Sequence, residues 1–184
     1  KILNKKIYEI YIGINNKGEL EEVIDEPSSK AINKRIENCV NYLPDGFEGE
    51  VNLKIDDWIS SVANALFKGF VLTIDYGDLR SELYSKSRPN GTVQTYYNHT
   101  NVNSPLSKIG KQDITAHVDF SSIIDNGNLY GLKAICYMLQ STYLNYLGFK
   151  KMLNDISKYV NRLCGGKNIL ILFFVILVGV IICR

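Results

Sequence analysis

Histidine is nearly missing from this chain, with two in 184 residues, and cysteine is scarce, with four. No two of Cys39, Cys136, Cys164 and Cys183 stand at Cys-x-x-Cys spacing, so the residues for a structural zinc site are not there. In a chain of this length the four cysteines read as reduced thiols of an intracellular compartment, not as a disulfide framework. An excess of one charge is also lacking: 21 Lys and Arg against 19 Asp and Glu leave a net charge of +2. The basic residues are scattered and form no stripe with interleaved aromatics, which leaves nucleic acid out of the expected partners. Nowhere does the chain contain Gly-x-Gly, so the glycine-rich turn that lets a backbone approach a nucleotide is missing. Repeats and low-complexity segments are absent too, and no secretory or transit signal stands at Lys1.

What remains is ordinary globular material, 46% hydrophobic and 22% charged, long enough for one domain with a single core. Its one unusual feature is the end. Residues 169–183 are an unbroken apolar run of fifteen, whereas a bilayer span takes roughly 20 residues, with about 17 as the lower limit. Two readings follow: a short span with Lys167 and Arg184 snorkelling at its ends, or a buried strand pair with Gly179 as turn or kink.

Residues 7–14 alternate as a strand, Asn15-Asn16-Lys17-Gly18 supplies turn chemistry, and residues 19–24 return, so the opening predicts a β-hairpin. A polar helix is expected over 29–42, with Ile32, Ile36, Cys39 and Val40 on one side. Asp56 or Asp57 is placed to cap a second helix running to Phe67, with Trp58 on its apolar face as core. Residues 70–75 (FVLTID) form a nearly continuous apolar run, the mark of a strand buried on both faces of a parallel sheet. Further on, a strand is expected at 92–97, a polar loop at 99–110 and an extended piece at 113–118. Asp119 should cap a helix over 120–126, followed by a second buried strand at 132–139 and helices at 141–147 and 152–163. The pattern predicts an α/β domain with a mostly parallel sheet, decorated by a hairpin and one long loop. Ligands gather at the carboxyl ends of such strands, which singles out Asp75-Tyr76-Gly77 and Gln140-Ser141.

Several of these residues fall into a familiar series. Gly49-Glu50-Val51-Asn52, Trp58 and Gly69 lead to Ile74-Asp75-Tyr76-Gly77, and Gly91-Thr92, Tyr96, His99, Pro105 and Gly110 continue it. The most specific block is residues 112–120, QDITAHVDF, with Gly131, Gln140, Leu144 and Gly148 behind it. In this order and at these spacings they resemble the MidA family of class I S-adenosylmethionine-dependent methyltransferases, which includes the mitochondrial arginine methyltransferase that assists assembly of respiratory complex I. The resemblance covers residues 7–149. It implies a Rossmann-like methyltransferase sheet, C-terminal half, with an inserted β-hairpin and a long loop. Residues 1–163 would be that portion and 164–184 a divergent apolar tail. It further implies S-adenosylmethionine as cofactor of the parent protein, a protein substrate such as a complex I subunit, and a mitochondrial location in a eukaryote or a cytoplasmic one otherwise. Contact with a membrane would run through the tail. The chain departs from the family in lacking the glycine-rich cofactor turn and the Asn-Glu…Asp-Ala motif expected before the hairpin, which leaves this chain's own activity open between enzyme fragment and non-catalytic scaffold.

The resemblance also suggests roles. Glu50 is the candidate to position a guanidinium, since arginine methylation calls for carboxylates that hold the planar fork; the plainer reading is a capping or edge carboxylate. Asp75 and Tyr76 would shape the acceptor pocket, or Asp75 would satisfy the next turn. His117 and Asp119, two apart, would face the same way on a strand and act together on the substrate; the plainer reading makes Asp119 a helix cap. Gln140 is a substrate-side position by resemblance alone.

Overall fold

The computed structural model describes residues 1–102, 104–163 and 178–183. Asn4 and Lys5 adopt φ of 50° and 59°, folding strand β1 (Ile2–Leu3) back on β2 (Lys6–Ile7). The expected hairpin follows as β3 (Glu9–Ile14) and β4 (Leu20–Asp25), antiparallel from Glu9↔Asp25 to Ile14↔Leu20. Asn15 builds its turn: the side-chain oxygen accepts from the amides of Lys17 at 2.9 Å and Glu19 at 3.0 Å, an alternative to ladder bonding that Asn offers readily.

Helix α1 (Lys30–Ile36) starts on Ser29, whose hydroxyl accepts from the Ala31 amide. It stops six residues before the expected end at Tyr42. The chain then turns through short bonds such as Cys39 N to Ile36 O at 2.8 Å, which drop Cys39, Val40 and Leu43 into a core with Ile2, Phe47, Leu83 and Tyr84.

Helix α2 (Ile55–Ala65) begins after Lys54 and has no side-chain cap. Asp56 and Asp57, expected as caps, instead lie inside its first turn, where the helix dipole favours negative charge. Ile55, Ile59 and Ala63 form its buried stripe. Trp58, expected in the core, lies about 100° round the helix from Ile59 and is 42% exposed.

Next come β5 (Phe70–Asp75), β6 (Gly77–Asp78), α3 (Arg80–Leu83), β7 (Gln94–Tyr97) and β8 (Thr100–Val102), the last being a strand where a loop was expected. Asn98 and His99 take left-handed φ of 49° and 60°, and that tight reversal brings β8 onto β7. Then follow β9 (Asp113–Thr115), β10 (Val118–Asp119), α4 (Phe120–Leu129), β11 (Lys133–Leu139), α5 (Gln140–Tyr146), α6 (Phe149–Leu163) and β12 (Val178–Cys183).

The principal sheet runs in the order β11-β12-β5. β12 is antiparallel to both neighbours, with Val178 opposite Leu139 and Asp75, and Cys183 opposite Lys133 and Phe70. β5 and β11 therefore run parallel to each other, as expected, but the sheet is not mostly parallel, because the end of the apolar tail is inserted between them. Val178–Cys183 is a single strand with Gly179 inside it, opposite Met138 and Ile74, so the tail forms a strand there but not the expected strand pair turning at Gly179, while 164–177 fall outside the described residues. Among the described residues no helix is long and apolar enough to cross a membrane. A three-stranded antiparallel sheet (β8-β7-β9) and a parallel pair (β6 with β10) complete the strands that surround the site.

One face of the main sheet packs on helices. Val71 of β5 and Tyr137 of β11 contact a core of Ile55, Ile59, Ala63, Phe120, Ile123 and Leu132. Burial of each large side chain there contributes about 1.5–3 kcal/mol relative to exposure. The expectation that β5 is buried on both faces fails: Phe70, Leu72 and Ile74 alternate onto the other face, and Phe70 is 74% exposed. The reason is that the described core lies on the Val71 side of the sheet alone, which leaves Phe70, Leu72 and Ile74 facing away from it.

Candidate functional site

The ends of β5, β7, β9 and β10 converge on two adjoining hollows. The larger, about 1500 Å³, is a groove walled by Asp75 and Tyr76 at the end of β5 and by β7 and β9, with His117 on its floor. The smaller, about 300 Å³, is lined by Glu50, Tyr84, Thr92, His117, Asp119 and neighbouring side chains. Ala116 and His117 line both.

Glu50 is held in place by a turn. Its carboxylate accepts from the Thr92 amide at 3.0 Å on each oxygen, from the Val93 amide at 3.0 Å and from the Thr92 hydroxyl at 2.9 Å. Gly91, at φ 69°, sits against the same carboxylate, where an added Cβ would lie 3.0 Å from Cδ and closer still to Oε1. The expected fork for a guanidinium is thus already engaged with main-chain donors, although its negative charge has no partner cation in any described ion pair. Thr92 extends the chain of contacts, its hydroxyl oxygen accepting from the His117 amide at 2.9 Å. Tyr84, whose hydroxyl donates to the Glu50 carbonyl at 2.8 Å, is pushed well up from the ordinary tyrosine range by burial and remains a donor throughout the working pH range.

His117 and Asp119 do not act as the expected pair. β10 begins only at Val118, and the carboxylate nearest the His117 ring is that of Asp78, with Oδ2 3.9 Å from Nδ1. Asp78 is in turn held by Arg88 at 2.8 Å. Asp119 turns the other way. It caps α4 by accepting from the Ser122 amide at 3.1 Å and hydroxyl at 2.5 Å, and it pairs with Arg80 Nε at 3.3 Å. Arg80 also reaches Asp125 at 3.0 Å. Burial pulls the Arg80 guanidinium down, and Asp119 with Asp125 outweighs it, for a net rise. The capping role for Asp119 is therefore the one realised.

Asp75 and Tyr76 are exposed at the groove, and the Asp75 carboxylate accepts from the Tyr76 amide at 2.7 Å. Gln140 is the first residue of α5 instead of a strand end and lines neither hollow; its side-chain oxygen is buried without a partner. Reading by sequence thus brought Glu50, Asp75, Tyr76, His117 and Asp119 to one region, gave no role to Thr92 although it stood in the motif series, and missed Asp78, Arg80 and Arg88. Asp78 and Arg80 directly follow the strand-end motif, which was the signal available for them.

The Glu50 lock makes a direct prediction. In Glu50→Gln the amide NH₂ must face a main-chain donor, so the variant should lose about 2–3 kcal/mol and the Thr92 and Val93 amides should exchange faster with solvent. A urea midpoint within error of the parent chain would show that the turn does not depend on the charge.

Residues 2–138 match the model of a family described as "Putative S-adenosyl-L-methionine-dependent methyltransferase". No curated protein matches the chain. Among solved structures it is similar to an uncharacterized superfamily protein from Burkholderia thailandensis, at 23% identity and a TM-score of 0.85 over 99% of this chain and 50% of that one. It is also similar to a second Burkholderia thailandensis protein, described as a "likely methyl transferase" bound to S-adenosyl-homocysteine, at 23% identity and a TM-score of 0.79 over 96% of this chain and 47% of that one. The chain spans about half the length of these solved structures.

Proposed function

Since the chain belongs to the family of S-adenosyl-L-methionine-dependent methyltransferases, we propose that it forms the acceptor-binding, C-terminal half of a MidA-type enzyme that methylates arginine on a protein. The observation that carries this reading is the groove at the carboxyl end of β5, joined to a side cavity that bears Glu50, a carboxylate in no described ion pair. S-adenosylmethionine is the cofactor of the family. The described residues of this chain do not fit it by themselves. The backbone approach that a cofactor cradle needs is closed at Gly77 by Val118 and Phe120 and at Gly91 by Glu50. The cofactor contacts therefore belong, in this proposal, to the other half of the enzyme.

On this reading Asp75, Tyr76 and His117 face the acceptor. Glu50 fixes the Gly91–Val93 turn and lends its negative charge, while Asp119 acts as a positioning residue through α4 and Arg80. Gln140, with its unpartnered oxygen, is the remaining substrate-side candidate. A subunit of respiratory complex I or a similar protein is the proposed substrate, with a mitochondrial location in a eukaryote and a cytoplasmic one otherwise; the apolar tail is the proposed point of any membrane contact. The closed glycines favour a second reading, a non-catalytic scaffold that binds its partner without cofactor.

Titration of S-adenosylmethionine into the 184-residue chain by calorimetry tests the division of labour. No binding heat is expected. Micromolar binding would mean that this chain builds the cofactor site from its own residues, and the assignment of those contacts to another half would be wrong.

A further inference from the structure

The groove and the cavity differ in shape in a way that suits one kind of occupant. A hollow of about 300 Å³ takes a single long side chain, whereas one of about 1500 Å³, open along its length, takes several residues of main chain. Because Ala116 and His117 line both, a chain lying in the groove passes directly over the mouth of the cavity.

The wall of the groove is itself a strand with a vacant edge. All three residues of β9 line it, all three are exposed, and β9 pairs only with β7 among the described strands. An edge strand of this kind presents unpaired N–H and C=O groups, to which an extended segment adds by main-chain hydrogen bonds.

Charge selects what that segment carries. Asp75 and Asp113 in the groove and Glu50 in the cavity take part in no ion pair among the described residues, against a single lysine, Lys111, in the groove lining. The four hydrogen bonds to Glu50 satisfy its lone pairs without cancelling its charge, because amides and hydroxyls are neutral donors. The cavity lining also holds Arg35, engaged with Asp56, and Asp119, engaged with Arg80, so Glu50, Asp75, Asp113 and Asp119 stand against Arg35 and Lys111, and the balance of the path is negative. A planar cation on a long stem meets attraction, with the Tyr76 and Tyr96 rings available beside it.

We propose that the groove and cavity together bind an extended, arginine-bearing segment of a substrate protein, its main chain paired along the β9 edge and its guanidinium passing Ala116 and His117 toward Glu50. This rests on the protein-arginine reading above and adds to it the mode of docking. Lysine carries the same charge, but its compact ammonium cannot make the planar, forked contact with a carboxylate that a guanidinium makes.

The test is fluorescence polarisation of the 184-residue chain with a short labelled peptide, arginine at its centre among small and β-branched residues. Three relatives of that peptide are compared: citrulline for arginine, N-methylation of alternate main-chain nitrogens, and lysine for arginine. Arginine should bind about tenfold more tightly than citrulline, lysine should fall between them, and N-methylation in one of the two alternating registers should remove binding. Asp75→Asn and Asp113→Asn, both at exposed positions, should each weaken the arginine peptide more than the citrulline peptide. Binding that prefers arginine but ignores N-methylation in both registers would overturn strand pairing while leaving the arginine reading intact. Equal binding of arginine and citrulline would overturn the proposal through the acceptor reading itself, and so would no binding by any peptide.

Discussion

Arg80→Met is expected to destabilise the chain by about 3–5 kcal/mol, because it leaves a carboxylate without its cation inside the fold. The Asp119 side chain is 9% exposed and that of Arg80 30%, so the guanidinium shields a charge that water barely reaches. With methionine at position 80 the hydrophobic stem is kept and the cation alone is lost. Ser122 would still donate to Asp119 from its amide and hydroxyl, which is too little to replace an ion pair. The Arg80 hydrogen bonds to the Ser122 hydroxyl and to Asp125 would go as well. Combining Arg80→Met with Asp119→Asn removes the stranded charge and keeps a side-chain oxygen for the α4 cap, since Asn caps helices about as well as Asp. The double variant should therefore be more stable than Arg80→Met alone, a reversal of ordinary additivity that a double-mutant cycle in urea reads directly. A double variant less stable than the single one would mean that Asp119 is held chiefly by its cap and that Arg80 contributes packing, not charge.

The parts of this architecture legible in the sequence are those encoded by neighbours along the chain. The Asn15 turn, the apolar run of β5, the Asp119 cap and the return of β11 after Gly131 each depend on a few adjacent residues, and each was expected from them. The parts that were not legible depend on distant partners. Nothing local in 178–183 says that the strand will slide between β5 and β11 in antiparallel register. The same apolar letters fit a membrane span or a core strand, and only its pairings with those two strands separate the readings. Trp58 was misplaced because its helical spacing suits an apolar face, while the stripe that packs on α4 is set by Ile55, Ile59 and Ala63 one position away. The candidate site shows the same split. Glu50, Asp75, Tyr76, His117 and Asp119 were found by motif and strand-end position, yet their partners were not. Thr92 lies 42 residues from Glu50 and Arg80 lies 39 from Asp119, and spacing rules for helices and strands say nothing at such separations.

The close approach that holds the two sides of the site together makes the second large effect. Gly77 of β6 stands opposite Val118 of β10 in the parallel pair, and the Val118 amide donates to the Tyr76 carbonyl at 2.9 Å. A Cβ at position 77 would lie 2.9 Å from Cε2 of Phe120 and closer still to the Val118 carbonyl oxygen. Neither obstacle can give way cheaply: one is main chain, and the other is a ring that is fully buried between α2 and the sheet. Gly77→Ala should therefore cost about 3 kcal/mol or more, at the upper end of what overpacking does. It should also separate Tyr76 and Asp78 from His117, so that binding of the arginine peptide falls along with stability. Gly110 supplies the comparison. It has φ of 72° and nothing within 4 Å of an added Cβ, so Gly110→Ala carries only the left-handed backbone cost of about 1–2 kcal/mol. If the two variants melt together in the same denaturant series, the β6–β10 contact is looser than described, and the groove and cavity are not held in register by it. If Gly77→Ala falls well below Gly110→Ala and loses the peptide as well, the missing side chain at position 77 is what lets the end of β5 and the His117 segment face each other across one site.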